Sequence, residues 1–195
     1  MVQVIVLAAG LSRRFEKGNK LLHLVDGKTI LNHTLQAINQ AEISSIKLVT
    51  GCDRDQILDF VPKHVSIEEV FNKDYEKGMT SSIQRAVASC DDSVTGYMIC
   101  LADQMKIQAT TYKSIYAAFI DAENSSAQPI VVPYHQGTKG NPVILSSAYR
   151  QAIMNEVYTN GCRNVLKSNK EDIVKVKLDD PGILIDIDRV EDLDG

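Results

Sequence analysis

Short apolar runs alternate with longer amphipathic segments along the chain. Three segments repeat apolar residues at spacings of three and four and predict helices over Ile30–Ala41, Met79–Ser89 and Thr111–Ala122. Eight runs rich in valine and isoleucine predict strands: Val4–Leu7, Ile46–Val49, Val65–Val70, Met98–Leu101, Ile130–Val132, Val143–Leu145, Ile173–Val176 and Ile183–Ile187. The alternation predicts an α/β fold in one domain, 1–195, with helices on both faces of a mostly parallel sheet that becomes mixed after Ile130.

Composition narrows the range of partners and locations. A net charge of −4 over 195 residues argues against a nucleic-acid partner, although a few local cations can still hold a small anionic ligand. The four cysteines form no CxxC pair and no histidine lies near them, so we expect reduced thiols and no zinc site. The apolar run after Met1 lacks a basic leader, and no run reaches the ~18 residues of a membrane span. We therefore expect a cytoplasmic protein with no membrane partner.

The first loop after a predicted strand gathers small residues and cations. Ala8, Ala9 and Gly10 leave the backbone open to a ligand, and Ser12 adds a hydroxyl. Three cations follow, Arg13, Arg14 and Lys20. Ligands of such folds bind at the carboxyl ends of the strands, where this pattern suits a polyphosphate. A solvated basic turn is the alternative interpretation. Neither the glycine fingerprint of dinucleotide-binding folds nor a P-loop is present in this region.

Carboxylates follow two other predicted strands. Asp103 stands at the end of the Met98–Leu101 strand, a suitable position for Mg²⁺ bound together with nucleotide phosphates. Asp186 and Asp188 alternate along the predicted Ile183–Ile187 segment and so point to one side. Each carboxylate can also be read as an ordinary cap, turn or chain-end residue.

Two further segments carry polar groups at element boundaries. Gly78-Met79-Thr80-Ser81-Ser82 precedes a predicted helix, where free N–H groups and hydroxyls can meet an anion or a base edge. Gly140-Asn141-Pro142-Val143 places an amide at a strand entrance. Helix capping explains the first segment equally, and turn chemistry explains the second.

Taken in order, these motifs resemble the MobA-like nucleotidyltransferase family, and within it the molybdenum cofactor cytidylyltransferase branch. The matching segments are Leu7-Ala8-Ala9-Gly10-x-Ser12-x-Arg14, Lys20, Gly78-Met79-x-Ser81-Ser82, Leu101-Ala102-Asp103-Gln104, Gly140-Asn141-Pro142-Val143 and Asp186-Ile187-Asp188. The resemblance implies the three-layer, Rossmann-like fold of the nucleotide-diphospho-sugar transferases.

The resemblance also implies a reaction and a set of site residues. The reaction is a Mg²⁺-dependent transfer of CMP, or another nucleoside monophosphate, from CTP or an NTP such as GTP to a molybdopterin-type phosphorylated acceptor, with release of pyrophosphate. Arg14, Lys20 and Asp103 would be catalytic, Asp103 and Asp186 would bind the metal with Asp188 as second choice, and Asn141 would border the acceptor. The nucleotide would contact Leu7, Ala8, Ala9, Gly10, Ser12, Arg14, Lys20, Gly78, Met79 and Ser82. A molybdenum hydroxylase or its insertion chaperone would be the protein partner.

One segment departs from the family pattern and leaves the acceptor open. Gly161-Cys162-Arg163-Asn164 lacks the acidic residue and the second glycine expected on the pterin side. A non-catalytic cofactor carrier therefore remains an alternative, as does a transferase acting on a sugar phosphate. An oxidoreductase binding NAD or a flavin on the same sheet is a third alternative, against which the missing glycine fingerprint argues.

Overall fold

A computed structural model describes residues 1–16, 18–125 and 128–193. The single-domain prediction for 1–195 therefore includes five residues outside the described ranges. The strands are β1 (Val2–Ala8), β2 (Leu24–Val25), β3 (Lys28–Thr29), β4 (Ile46–Thr50), β5 (Ile67–Phe71), β6 (Gly96–Leu101), β7 (Ile130–His135), β8 (Thr138–Lys139), β9 (Val143–Ser146) and β10 (Ile173–Lys177). The helices are α1 (Ile30–Gln40), α2 (Arg54–Asp59), α3 (Met79–Ala88), α4 (Ala109–Glu123), α5 (Arg150–Met154) and α6 (Arg163–Ser168).

The central sheet is mixed but mostly parallel, as predicted. Its order is β10-β7-β9-β6-β1-β4-β5, with β8 paired to β7, while β2 and β3 form a separate two-stranded ribbon. Strand β9 runs antiparallel to both of its neighbours, β6 and β7. All other pairings along the main path are parallel, so most strands end at the same edge of the sheet.

Helices cover both faces of the sheet and give the expected three layers. On one face, Leu35 of α1 and Phe119 of α4 are fully buried in a common core. On the other face, Ile83 of α3, Ile153 of α5 and Val165 of α6 pack into a second core. Because the strands are buried on both faces, between two apolar layers, their sequences are nearly continuous runs of Val and Ile.

The predicted strand Ile183–Ile187 is wrong. Pro181–Leu184 form a short 3₁₀ turn, because the Asp180 side chain caps it by accepting the Gly182 N–H at 2.9 Å. Ile185 after it is extended, but within the described ranges residues 185–187 form no strand. Ile187 is nevertheless fully buried and donates its N–H to the Asp103 carbonyl oxygen at 3.2 Å. The apolar segment therefore packs this part of the chain against the end of β6, but it adds no strand to the sheet.

The short helices α2, α5 and α6 were not predicted, because six or fewer residues are too few to display a helical period. All four cysteines are free thiols. Within the described ranges, no helix combines the length and the apolar character required to cross a bilayer.

Candidate active site

The carboxyl ends of β1 and β6 lie side by side and define the floor of a cleft. Leu7 is in register with Leu101, and the Ala102 N–H donates to the Leu7 carbonyl oxygen at 3.3 Å. The loops that leave these two strands are therefore adjacent. The cleft has a volume of about 520 Å³, and its walls include Leu7, Ala9, Gly10, Leu11, Ser12, Arg13, Arg14, Lys20, Tyr75, Glu76, Gly78, Met79, Ser82, Asp103, Arg163, Asp186 and Asp188.

Local hydrogen bonds fix the loop after β1. Ser12 takes a left-handed conformation (φ 47°), and its carbonyl oxygen accepts the Phe15 N–H at 2.9 Å. Its hydroxyl oxygen accepts the Lys20 N–H at 3.2 Å and lies 3.3 Å from Asn19 Oδ1. Phe15 is buried against the edge of His23. Ser12 therefore shapes the loop that carries Lys20, although it also lines the cleft.

Cations and carboxylates from three parts of the chain meet in the cleft. Lys20 Nζ lies 2.5 Å from Asp103 Oδ2 and 2.9 Å from Asp188 Oδ1. Arg14 Nη2 lies 2.8 Å from Asp188 Oδ2. The side chains of Lys20 and Asp103 are only 15% and 17% exposed. Residues separated by 83 and 168 positions in the sequence thus form one charge cluster.

The cluster shifts the ionisation of two of its members. Burial lowers the pKa of Lys20, but the charges and hydrogen bonds of Asp103 and Asp188 outweigh this effect, so the net pKa is raised. Partial desolvation raises the pKa of Asp186, and the neighbouring charge of Asp103 raises it further. Gln104 opposes this shift by donating Nε2–H to Asp186 Oδ1 at 2.7 Å. Lys20 therefore remains an ammonium, whereas Asp186 resists ionisation.

The donor set fits a divalent cation at Asp103 and Asp186. Asp103 Oδ1 is buried and has no hydrogen-bond partner among the described residues, and Asp103 and Asp186 repel each other. A cation between them would satisfy the first oxygen and relieve the repulsion. Asp188 is less suitable, since Lys20 and Arg14 already engage its two oxygens. The described chain contains no group of three or more His, Cys, Asp or Glu side chains placed to hold a metal ion. Mg²⁺ commonly binds through one or two carboxylates together with substrate phosphates.

The opposite wall of the cleft is built on a glycine that the fold requires. Gly78 has φ of +99°, and a Cβ there would lie 2.8 Å from the Thr159 carbonyl oxygen. The next residues are held by Asn72, whose buried side-chain amide donates to the hydroxyls of Ser81 and Ser82 at 3.0 Å each. Gly78, Met79 and Ser82, for which the sequence predicts contact with a nucleotide, all line the cleft.

Two expected site residues lie outside the cleft lining. Ala8 is 1% exposed and packs into the core below the loop, so only its backbone is available to a ligand. Asn141 does not line the cleft, and its backbone N–H donates to the Ile183 carbonyl oxygen at 3.0 Å. That carbonyl also accepts a 3.3 Å hydrogen bond from Gln104, so Asn141 lies behind the Asp186 side of the cleft.

The sequence analysis assigned no role to four residues that the structure places at the site. Tyr75, Glu76 and Arg163 line the cleft, and Gln104 holds Asp186. Tyr75, Glu76 and Gln104 fall in segments predicted to follow strands, which was the available signal. Arg163 lies in the segment that departs from the family pattern, so its position depends on tertiary structure alone.

Comparison with known proteins by sequence identifies one family. The profile of the MobA-like NTP transferase domain matches residues 4–173. The chain is also similar to the molybdenum cofactor cytidylyltransferase of Escherichia coli (strain K12), with 26% identity over 192 residues. That match covers 98% of this chain and 93% of the relative.

Solved structures confirm the predicted fold. The crystal structure of Rv0371c from Mycobacterium tuberculosis H37Rv superposes with a TM-score of 0.82 and 22% identity, covering 98% of this chain and 94% of that one. A structure of Rv0371c in complex with manganese gives a TM-score of 0.76 at 21% identity, with coverages of 98% and 95%. A nucleotidyl transferase from Methanothermobacter, Mth528, gives 0.80 at 17% identity, with coverages of 98% and 94%.

Proposed function

The chain belongs to the MobA-like NTP transferase family and is a nucleotidyltransferase, and we propose that it transfers CMP from CTP to a molybdopterin-type phosphorylated acceptor with release of pyrophosphate. The observation that carries the proposal is the charge cluster in the cleft. Two cations, Arg14 and Lys20, meet the carboxylates of Asp103 and Asp188 at the carboxyl ends of β1 and β6. A triphosphate bound there would exchange these internal ion pairs for its own.

The nucleotide would lie along the loop after β1. The backbone of Leu7, Ala8, Ala9 and Gly10 is the surface it would contact, and a Cβ at Gly10 would meet no atom within 4 Å. Open space at this point leaves room for a ligand beside the backbone. Arg14 and Lys20 would bind the phosphates, and Gly78, Met79 and Ser82 across the cleft would contact the base and ribose.

Mg²⁺ would be held by Asp103 and Asp186 together with nucleotide phosphates. The chemistry that the ion would supply is neutralisation of phosphate charge. The side chains around it have separate tasks. Gln104 orients Asp186 through its 2.7 Å hydrogen bond. Lys20, whose raised pKa keeps it protonated, would stabilise the negative charge on the departing pyrophosphate.

No strong general base is required by this reaction. The acceptor phosphate is already ionised at neutral pH, so the chain must chiefly hold two substrates in line and neutralise charge. Arg163 reaches the cleft from the start of α6 and is a cation available to an anionic acceptor. Asn141 would border the acceptor from behind Asp186. A molybdenum hydroxylase or its insertion chaperone would receive the product.

Pyrophosphate release with CTP, Mg²⁺ and molybdopterin tests the proposal. Asp103→Ala should lower the rate by about 10²–10³, by analogy with the loss of other transition-state contacts. Asp92→Ala is the matched control, because Asp92 is an exposed carboxylate just before the opposite end of β6. Wild-type turnover by Asp103→Ala would refute the assignment.

A thermal-shift comparison of CTP, GTP, ATP and UTP with Mg²⁺ would identify the base. A ligand at 100 times its dissociation constant adds about 2.7 kcal/mol of stability, and CTP should give the largest shift. Tight molybdopterin binding without pyrophosphate release would instead identify a cofactor carrier. Turnover with a sugar phosphate in place of molybdopterin would identify the other transferase class.

A further inference from the structure

A second concave surface lies between α6 and the sheet strands β7, β8 and β10. Its volume is about 370 Å³; Tyr134 and Leu166 contribute apolar surface, and Lys139, Lys167, Lys170 and Lys175 surround them. We call this surface the basic groove. A neighbouring hollow of about 660 Å³ shares Tyr134 and Lys175 with it and adds Lys177. The two hollows together form an elongated surface with lysines along its length.

These lysines lack the ion pairs found in the active-site cleft. All four lysines of the basic groove are exposed, and none forms a salt bridge within residues 1–16, 18–125 and 128–193. Lys175 instead lies 5.5 Å from the centre of the Tyr134 ring. Among the described residues, no carboxylate lines the basic groove, and the neighbouring hollow has one, the exposed Asp179. A chain with a net charge of −4 thus concentrates positive charge on one surface.

Protection of a sheet edge explains only part of this pattern. β10 is the terminal strand of the sheet, and lysines on edge strands discourage pairing with other chains. This accounts for Lys175 and Lys177. It also covers Lys139, because β8 pairs with β7 alone among the described strands, but it does not account for Lys167 on α6 or Lys170 in the following turn. Lysines from four elements converge on the basic groove, where a ligand of opposite charge would relieve their mutual repulsion.

We propose that the basic groove binds an acidic segment of a partner protein. Complementary charge would attract such a segment, and the apolar surface of Tyr134 and Leu166 would accommodate side chains between its carboxylates. The elongated shape of the joined hollows fits an extended chain better than a compact anion. The acidic charge of the whole protein disfavours a nucleic acid, whose long polyanion would meet repulsion beyond the groove.

The basic groove and the active-site cleft share one helix. Arg163 at the start of α6 lines the cleft, and Lys167, four residues later on the same side of the helix, lines the basic groove. A partner bound to the groove would therefore sit beside the cleft. The proposal itself depends only on the groove and stands whichever nucleotide or acceptor the cleft takes.

Fluorescence anisotropy with a labelled peptide rich in glutamate and leucine tests this proposal. The double variant Lys139→Glu/Lys175→Glu should weaken peptide binding at least about tenfold, and rising salt should weaken binding to the wild type. A twin peptide with glutamine in place of glutamate should bind no better than that variant does. The matched control is Lys63→Glu/Lys113→Glu, which changes the net charge equally at exposed lysines elsewhere.

Each outcome decides the proposal. Equal loss of binding in the groove and control variants would show that only net charge matters and would overturn it. Groove-dependent binding of single-stranded DNA or inorganic pyrophosphate in preference to the acidic peptide would also overturn it. The CTP-dependent thermal shift of both variants should match the wild type, which shows that the fold and the cleft are intact.

Discussion

The two cationic surfaces of this protein differ in what their charges contact. In the cleft, Lys20 and Arg14 are paired with Asp103 and Asp188 at 2.5 to 2.9 Å. In the basic groove, exposed lysines face solvent and an aromatic ring. The first surface joins residues distant in sequence, and the second is rimmed by lysines of β8, α6, the turn after α6 and β10.

The difference indicates how ion pairs with carboxylates can prepare a buried cation to bind a phosphate. Lys20 is mostly buried, so its carboxylate partners offset the cost of removing its charge from water and fix its position. A fixed ammonium loses little further freedom when it exchanges a carboxylate for a phosphate. The groove lysines are exposed to solvent, as suits adaptable recognition of another protein surface. Pairing therefore distinguishes the proposed catalytic surface from the proposed docking surface.

Removal of Lys20 should produce the largest effect. Lys20→Ala is expected to lower the rate of pyrophosphate release by about 10²–10³, because it deletes one fixed charge from the transition state. It also leaves Asp103 without the ammonium that contacts its Oδ2 atom.

Lys63→Ala is the control, since Lys63 is exposed and lies outside the cleft. If the two variants released pyrophosphate at comparable rates, the ion-paired Lys20 would be no more important for the reaction than an exposed lysine outside the cleft.

Alanine substitutions at two glycines distinguish a residue that the folded cleft requires from a residue beside the space for the nucleotide. Gly78→Ala should lower the free energy of unfolding by about 1–3 kcal/mol, because its φ is positive and Thr159 blocks the added methyl group. Gly10→Ala has free space and no such strain, so urea unfolding should change little. If Gly10→Ala instead weakens the CTP-dependent thermal shift, the methyl group occupies space that the nucleotide needs. Equal unfolding free energies for the two variants would contradict this account.

The fold was predictable where a segment is long and periodic. Strands β1 and β6 are buried on both faces and read as continuous apolar runs, and helices α1, α3 and α4 show a clear apolar stripe. The segment Ile183–Ile187 has the same apolar character but no strand partner. Its conformation is decided by the Asp180 cap and by the contact of Ile187 with Asp103, which sequence periodicity does not contain.

The sequence predicted several residues that line the cleft, but not the contacts between them. Strand topology and family resemblance placed Lys20, Asp103 and Asp186 at one edge of the sheet. The sequence could not show that Lys20 bridges Asp103 and Asp188, nor that Gln104 holds Asp186, because these contacts join residues more than 80 positions apart. Arg163 likewise reaches the cleft only through the packing of α6.

The smallest expected effect concerns the stability of the metal-free protein. The folded state holds the pKa of Asp186 above the ordinary value of 3.8. At a pH between 3.8 and this raised pKa, the folded state therefore binds more protons than the unfolded state. Below pH 3.8 the carboxyl is protonated in both states and contributes nothing. As the pH rises through the raised pKa, the folded state loses stability relative to the unfolded state. This loss of stability is complete above the raised pKa.

Asp186→Asn removes this ionisation and retains an oxygen that accepts from Gln104. Urea unfolding without divalent metal should therefore show the variant gaining stability over the wild type as the pH rises, with a plateau above the raised pKa. Added Mg²⁺ should stabilise the wild type more than the variant, because a bound cation offsets the repulsion between Asp186 and Asp103. A variant less stable than the wild type at every pH would mean that the carboxylate contributes favourable contacts of its own. In that case, repulsion would not be the force that prepares this edge of the cleft for a cation.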